Sequence, residues 1–98
     1  MIFNDDMVQQ VWNKGRVVPG YDPNIWRKDQ CGAWIGKQFY GNRGSQYGWE
    51  IDHITPSEDG GTNDLSNLRP LQWENNANRQ SGRLDCPIIA EGVNNIRR

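Results

Sequence analysis

The sequence predicts an α+β fold: a small strand–strand–helix unit carried behind a helical N-terminal extension. Three observations predict it. From Trp49 to His53, apolar Trp49 and Ile51 alternate with Glu50 and Asp52, the two-residue period of a half-buried strand. After a loop with Pro56 and the Gly60–Gly61 pair, a second short strand is expected around Leu68 to Leu71. A helix is then expected from about Gln72 to Gln80, where Trp73, Asn76, Ala77 and Gln80 share a face by i, i+3, i+4 spacing. Trp73 and Ala77 would seat that helix on the hairpin and aim Asn76 at Asp52.

The N-terminal extension reads as a capped helix. Asn4 can cap, Asp5 and Asp6 suit the positive first turn, and Phe3 can pack on Val8 as a staple. Val8, Val11 and Trp12 form an apolar face, and Gly15 ends the helix. Arg16 to Pro19 is expected to be extended, with a turn at Pro19–Gly20. Asp22–Pro23 reads as a cap and first helical position, starting a short turn through Asn24 to Lys28 that buries Trp26. Cys31 to Ile35 is a candidate strand, and the Gly-rich run from Tyr40 to Gly48 a loop. Leu84 to Arg98 either folds back over an edge of the hairpin or stays loosely ordered.

Ninety-eight residues fit one domain, near the lower limit for a self-sufficient core. Five Trp, three Tyr and two Phe with few aliphatics predict a small, aromatic-rich core. Eleven Lys and Arg against twelve Asp and Glu give a net charge of −1, unlike a strongly basic nucleic-acid binder. Any such affinity must come from local patches, and the basic residues do group: Lys14/Arg16, Arg27/Lys28, Lys37/Arg43, Arg69/Arg79/Arg83 and Arg97/Arg98. Taken singly, each group is equally a solvated face. Cys31 and Cys86 lie far apart and in no CxxC pair. With no signal peptide and no apolar run of membrane-spanning length, a soluble cytoplasmic chain with free thiols is the expectation, and a disulfide the lesser reading.

The chemistry concentrates in the central stretch. His53, the only histidine, ends the first strand directly after Asp52. Asn67 comes fourteen positions later and Asn76 nine beyond that. Each of these residues alone is ordinary turn or cap material. Together, the DHITP run, the Gly pair, NLRPL and WENNANR resemble the HNH endonuclease family in order and spacing, in a variant with Asn at the last signature position. The resemblance is specific from Gly48 to Arg79 and weaker back to about residue 20.

That resemblance implies a ββα-metal core at about residues 48–80 of a single nuclease domain. It implies His53 as general base, Asp52 and Asn76 as ligands of one divalent cation, and Asn67 as the residue that ties down the loop and helps orient the histidine. Oxygen donors favour Mg²⁺, or Mn²⁺ or another divalent metal, over thiolate-bound zinc. One caution comes from geometry: in a regular strand Asp52 and His53 point to opposite faces, so a twist or bulge is needed for both to meet one phosphate. Arg69, Arg79 and Arg43 are the candidate DNA contacts. Arg79 could equally pair with Glu74 or Glu50, and Glu50 could tune His53 or serve as a cross-strand partner. Gln80 is a weaker candidate ligand. Many relatives carry two CxxC pairs for a structural zinc; here Gln72 and Asn75 stand where the second pair would be. No structural zinc is therefore expected, and Trp26, Trp34 and Trp73 are expected to fill its space.

The function expected is metal-dependent cleavage of DNA, by nicking or cutting. The alternatives are a catalytically weak DNA-binding module and a structural metal-binding domain acting with a partner. No membrane association is expected; cutting both strands would need two sites and hence a homodimer, and a phage or host setting beside packaging machinery follows from resemblance alone.

Overall fold

The computed structural model of the protein describes residues 3–80 and 83–98. Helix α1 spans Asp5–Trp12, and the Asn4 side chain accepts the Met7 N–H at 2.8 Å. Its apolar face buries Val11 and Trp12, with Phe3, Met7 and Val8 packed alongside. The Gly15 N–H returns to the Trp12 carbonyl, and Arg27 donates to the carbonyls of Asn13 and Gly15 at the helix end. A cation there satisfies acceptors that the helix leaves open. Lys14 reaches across to the carbonyls of Leu65 and Leu68, fastening the extension to the start of the second hairpin strand.

Three antiparallel hairpins follow: β1 (Trp26–Lys28) with β2 (Trp34–Gly36), β3 (Trp49–His53) with β4 (Leu68–Gln72), and β5 (Ile88–Glu91) with β6 (Asn94–Arg97). The Asp22 turn is present, with its carboxylate accepting the Asn24 N–H, but it stops at Ile25. From Trp26 the chain is extended, contrary to the helical turn expected through Lys28. Two backbone bonds between Arg16 and Lys28, together with pairing to β2, outweigh the local cap signal there.

The β3–β4 register runs without a break from Trp49↔Gln72 to His53↔Leu68. Pro70 sits opposite Ile51, which is tolerated because this sheet has only two strands and β4 keeps an open side. Trp12 and Trp49 meet at 5.3 Å between ring centroids. With Val11, Ile35 and Leu68 they form the buried core that joins α1 to the β3–β4 hairpin.

Helix α2, Trp73–Ala77, is shorter than expected, and Gln80 lies beyond it in a bridge with Arg83. Ala77 is exposed, so it does not seat the helix. Asn75 does. It is fully buried, donating to Asp29 Oδ2 and the Ile88 carbonyl and accepting the Ile88 N–H. Gln72 caps α2 through the N–H groups of Glu74 and Asn75. The Asp29 carboxylate, also buried, accepts from Cys31 N–H and Ala33 N–H on one oxygen, and from Gln72 N–H and Asn75 Nδ2 on the other. This polar knot, rather than the three expected tryptophans, links the turn before β2 to the start of α2.

The C-terminal hairpin closes over the same knot rather than over an edge of β3–β4. The Ala90 N–H donates to Gly32, Asn95 brackets both backbone groups of Trp34, and Cys31 and Cys86 form a disulfide. The free-thiol expectation is thus corrected. No helix among the described residues is long and apolar enough to cross a membrane.

Burial raises the Asp29 pKa against four hydrogen bonds that lower it. The folded chain therefore holds that proton more tightly than the unfolded chain. The stability Asp29 contributes is greatest below the ordinary aspartate range and is lost as pH rises through its folded value. Replacing Asn75 by Ala is expected to cost about 1–3 kcal/mol by leaving buried partners unpaired, read as a lower urea midpoint at unchanged slope. Reducing the Cys31–Cys86 bond, which spans 55 positions, is expected to cost up to about 4 kcal/mol in the same assay.

Candidate active site

The last residue of β3 and the loop after it form one half of the site. The Ile54 N–H donates to the Asn67 carbonyl, and the Asn67 side chain binds Thr55 through both N–H and C=O, at 2.8 and 3.1 Å. Its amide also donates to the Thr62 carbonyl at 2.8 Å. One asparagine thus clamps both ends of a loop that folds over itself at Gly60, whose φ is +87°, and at Gly61. A Cβ on Gly61 would lie 1.7 Å from the Thr55 carbonyl oxygen, so only glycine fits. Fixing Thr62 places the next residue, Asn63, with its amide oxygen 2.7 Å from His53 Nε2. With the oxygen as acceptor, Nε2 carries the proton and Nδ1 keeps its lone pair. The Phe3 ring, 6.2 Å away, backs the imidazole.

Residues on the other face of β3 form the second half. Asp52 is 2% exposed. Its Oδ2 accepts from Arg69 Nε at 2.7 Å, and Arg69 is its direct cross-strand neighbour. Its Oδ1 accepts no hydrogen bond and meets the Arg79 guanidinium as an ion pair. Two residues earlier, on the same face, Glu50 is gripped by Arg43 at 2.7 and 2.8 Å and accepts from Asn76 Nδ2 at 2.9 Å. Asn76 at Glu50 and Arg79 at Asp52 show α2 and the turn after it lying along β3.

Arg43 holds the Glu50 carboxyl below the usual glutamate range, opposed by burial and helped by Asn76. Its contribution to stability is present above the unfolded pKa and lost as pH falls through the folded one.

Of the residues predicted from sequence, the structure gathers Asp52, Asn76, Arg69, Arg79 and Arg43 on the α2 side. His53 and Asn67 are gathered on the loop side. The unbroken register means that no bulge turns His53 toward Asp52. Arg79 pairs with Asp52 rather than with Glu74 or Glu50, and Glu50 turns to Arg43 and Asn76 rather than to His53. Sequence reasoning missed Asn63, whose only signal was its place just after the Gly–Gly–Thr run, and Asp29, which carries no motif at all.

Among the described residues no group of three or more His, Cys, Asp or Glu could hold a metal ion. Asp52 with Asn76 is a sparser set of hard oxygen donors. Oxygens of this kind are what a hard divalent cation takes, and here the Asn76 amide nitrogen is turned to Glu50 rather than to Asp52. Asp52 Oδ1, buried and facing the Arg79 guanidinium, is the oxygen such a cation would take in exchange for that ion pair.

A family model for HNH endonucleases matches residues 31–79, half of the chain. The chain belongs to the HNH endonuclease family. No curated protein and no solved structure gives a significant match. HNH endonucleases bind and hydrolyse DNA and usually use a divalent metal. The matched residues run from Cys31 through both halves of the site to Arg79, so β2, the β3–β4 hairpin and α2 all lie within the HNH region.

Because His53 is the sole histidine, its ¹⁵N ring signals report the tautomer without ambiguity. Asn63→Ala is expected to mix the two tautomers and to lower any hydrolytic turnover about ten- to a hundredfold, whereas Asn63→Asp, which keeps an acceptor, retains the Nε2–H form. Arg79→Ala is expected to lower the metal-free melting temperature by the equivalent of about 1–3 kcal/mol. Added Mn²⁺ should raise that variant's melting temperature more than it raises the parent's.

Proposed function

We infer that this HNH chain is a metal-dependent DNA endonuclease. The observation that carries the reading is a histidine whose one ring nitrogen is held by Asn63, next in the chain to a buried carboxylate whose Oδ1 meets the Arg79 guanidinium. Hydrolysis of a phosphodiester needs a proton taken from water and negative charge offset at phosphorus. His53 suits the first task through the lone pair on Nδ1, left open when Nε2 donates to Asn63. A divalent cation, Mg²⁺ in this proposal, would be held by Asp52 and Asn76 and would supply positive charge beside the phosphate oxygens.

The remaining residues bind and orient. Asn67 and Gly61 fix the loop, so Asn63 can hold the imidazole in one tautomer. Arg69 anchors the Asp52 carboxylate from inside and so sets where its other oxygen faces. Arg43 and Arg79, each shared with a β3 carboxylate, are proposed to exchange part of that pairing for DNA phosphates. Arg69 completes the proposed DNA-contacting set as its buried member, also paired with Asp52. No side chain in this set is arranged as a base reader, so recognition is proposed to follow backbone and shape.

A plasmid-nicking assay tests the reading. Nicking is expected with Mg²⁺, is expected to stop with EDTA, and is expected to fall at least about a hundredfold in His53→Ala while Mn²⁺ binding persists. Asp52→Ala should weaken metal binding first. Equal nicking by His53→Ala and the parent would remove His53 from its role. Metal-induced stabilisation without any nicking would favour a structural metal site.

A further inference from the structure

Outside the proposed catalytic residues, basic side chains line a cleft of about 240 Å³ between the end of α1, β1 and the β3–β4 hairpin. Lys14, Arg16, Lys28 and Arg69, from three separate stretches of chain, all line it. That is four of eleven Lys and Arg residues in a chain whose net charge is −1. Asp29 is the one acid in the wall, and both its oxygens are engaged by interior donors, so it offsets the cations only from behind.

The cations are held in place. Arg16 and Lys28 exchange both backbone hydrogen bonds, at 2.8 and 3.0 Å, as an isolated antiparallel bridge. Residues opposed in that way project to the same side of the ladder. The Lys28 ammonium rests 4.8 Å from the Trp34 ring centroid, and Lys14 is tied to the carbonyls of Leu65 and Leu68. The cleft also adjoins the site. Arg69 grips Asp52, and Ile54, 40% exposed, follows His53 directly and forms part of the wall.

The geometry points to a second phosphate subsite here, which receives the DNA backbone where a strand leaves the reacting phosphate. The ligand is a phosphodiester of DNA, bound by charge with no base readout. The N-terminal extension thereby becomes part of the substrate-binding surface. This inference rests on the nuclease reading, and its test separates the two.

Binding of a fluorescein-labelled duplex is measured by anisotropy over a series of salt concentrations, in the His53→Ala background so that DNA stays intact. Arg16→Gln and Lys28→Gln are compared singly and together, with circular dichroism and melting as the check on fold. Each is expected to weaken binding and to reduce the slope of log K against log salt by about 0.9, additively in the double variant, while Arg16→Lys keeps the parent slope. With His53 restored, the loss should fall on KM rather than kcat, as for a contact made equally before and during reaction. Unchanged affinity and slope in the double variant, in a parent that nicks DNA, overturn the subsite and leave the nuclease reading standing. A loss equally produced by Arg16→Lys also overturns it. A parent that neither binds nor nicks DNA overturns both.

Discussion

The carboxylate of Asp52 is the constraint around which the other elements are set. A charge with 2% exposure is strongly disfavoured unless donors surround it. Those donors come from two directions: Arg69, across the hairpin, and Arg79, just past α2. Satisfying one side chain therefore fixes the β3–β4 register and the direction in which α2 runs. A slip of one residue in β4 would put Leu68 or Pro70 opposite Asp52 and would turn Leu68 out of the core. Register, core packing and candidate metal ligand are thus one requirement seen from three sides.

The fold needs this because its apolar core is small. Val11, Trp12, Ile35, Trp49 and Leu68 join α1 to the hairpin, but α2 is short and leaves Ala77 in water. What holds α2 is polar: Gln72 caps it, and Asn75 joins Asp29 to Ile88. A disulfide between Cys31 and Cys86 closes the same corner. A chain of this length with few aliphatics gains order through directed bonds that hydrophobic area alone would not supply. The loop after His53 follows the same logic on a smaller scale, where one asparagine replaces a missing strand partner.

Much of this was legible in the sequence because it rests on local rules. The α1 cap at Asn4, the alternation in β3, the second strand at Leu68 and the loop position of Gly60 and Gly61 all follow from periodicity or from backbone sterics. The extents of α2 and of the Asp22 turn did not follow, because each is decided by a remote partner: Asn75 by Asp29 and Ile88, Lys28 by Arg16. The grouping of His53, Asn67, Asp52 and Asn76 was suggested by order and spacing. Their division between two faces of one strand was foreseen only as a difficulty, and the unbroken pairing shows no bulge that joins them. Asn63, Asp29 and the convergence of Lys14, Arg16 and Lys28 were out of reach, since nothing in a linear sequence announces which polar residues a loop or a bridge will bring into contact.

Asp52 and His53, on consecutive positions of β3, are proposed to serve one phosphate. The most direct test is a crystal of the His53→Ala variant with Mn²⁺ and a short DNA duplex, examined for anomalous scattering. Expected is a single strong peak bonded to an Asp52 oxygen and to the Asn76 amide oxygen, with a phosphate on the metal and the space left by the imidazole opening onto that phosphate. A peak elsewhere, or a phosphate at Asp52 with position 53 facing away behind the strand, would contradict it.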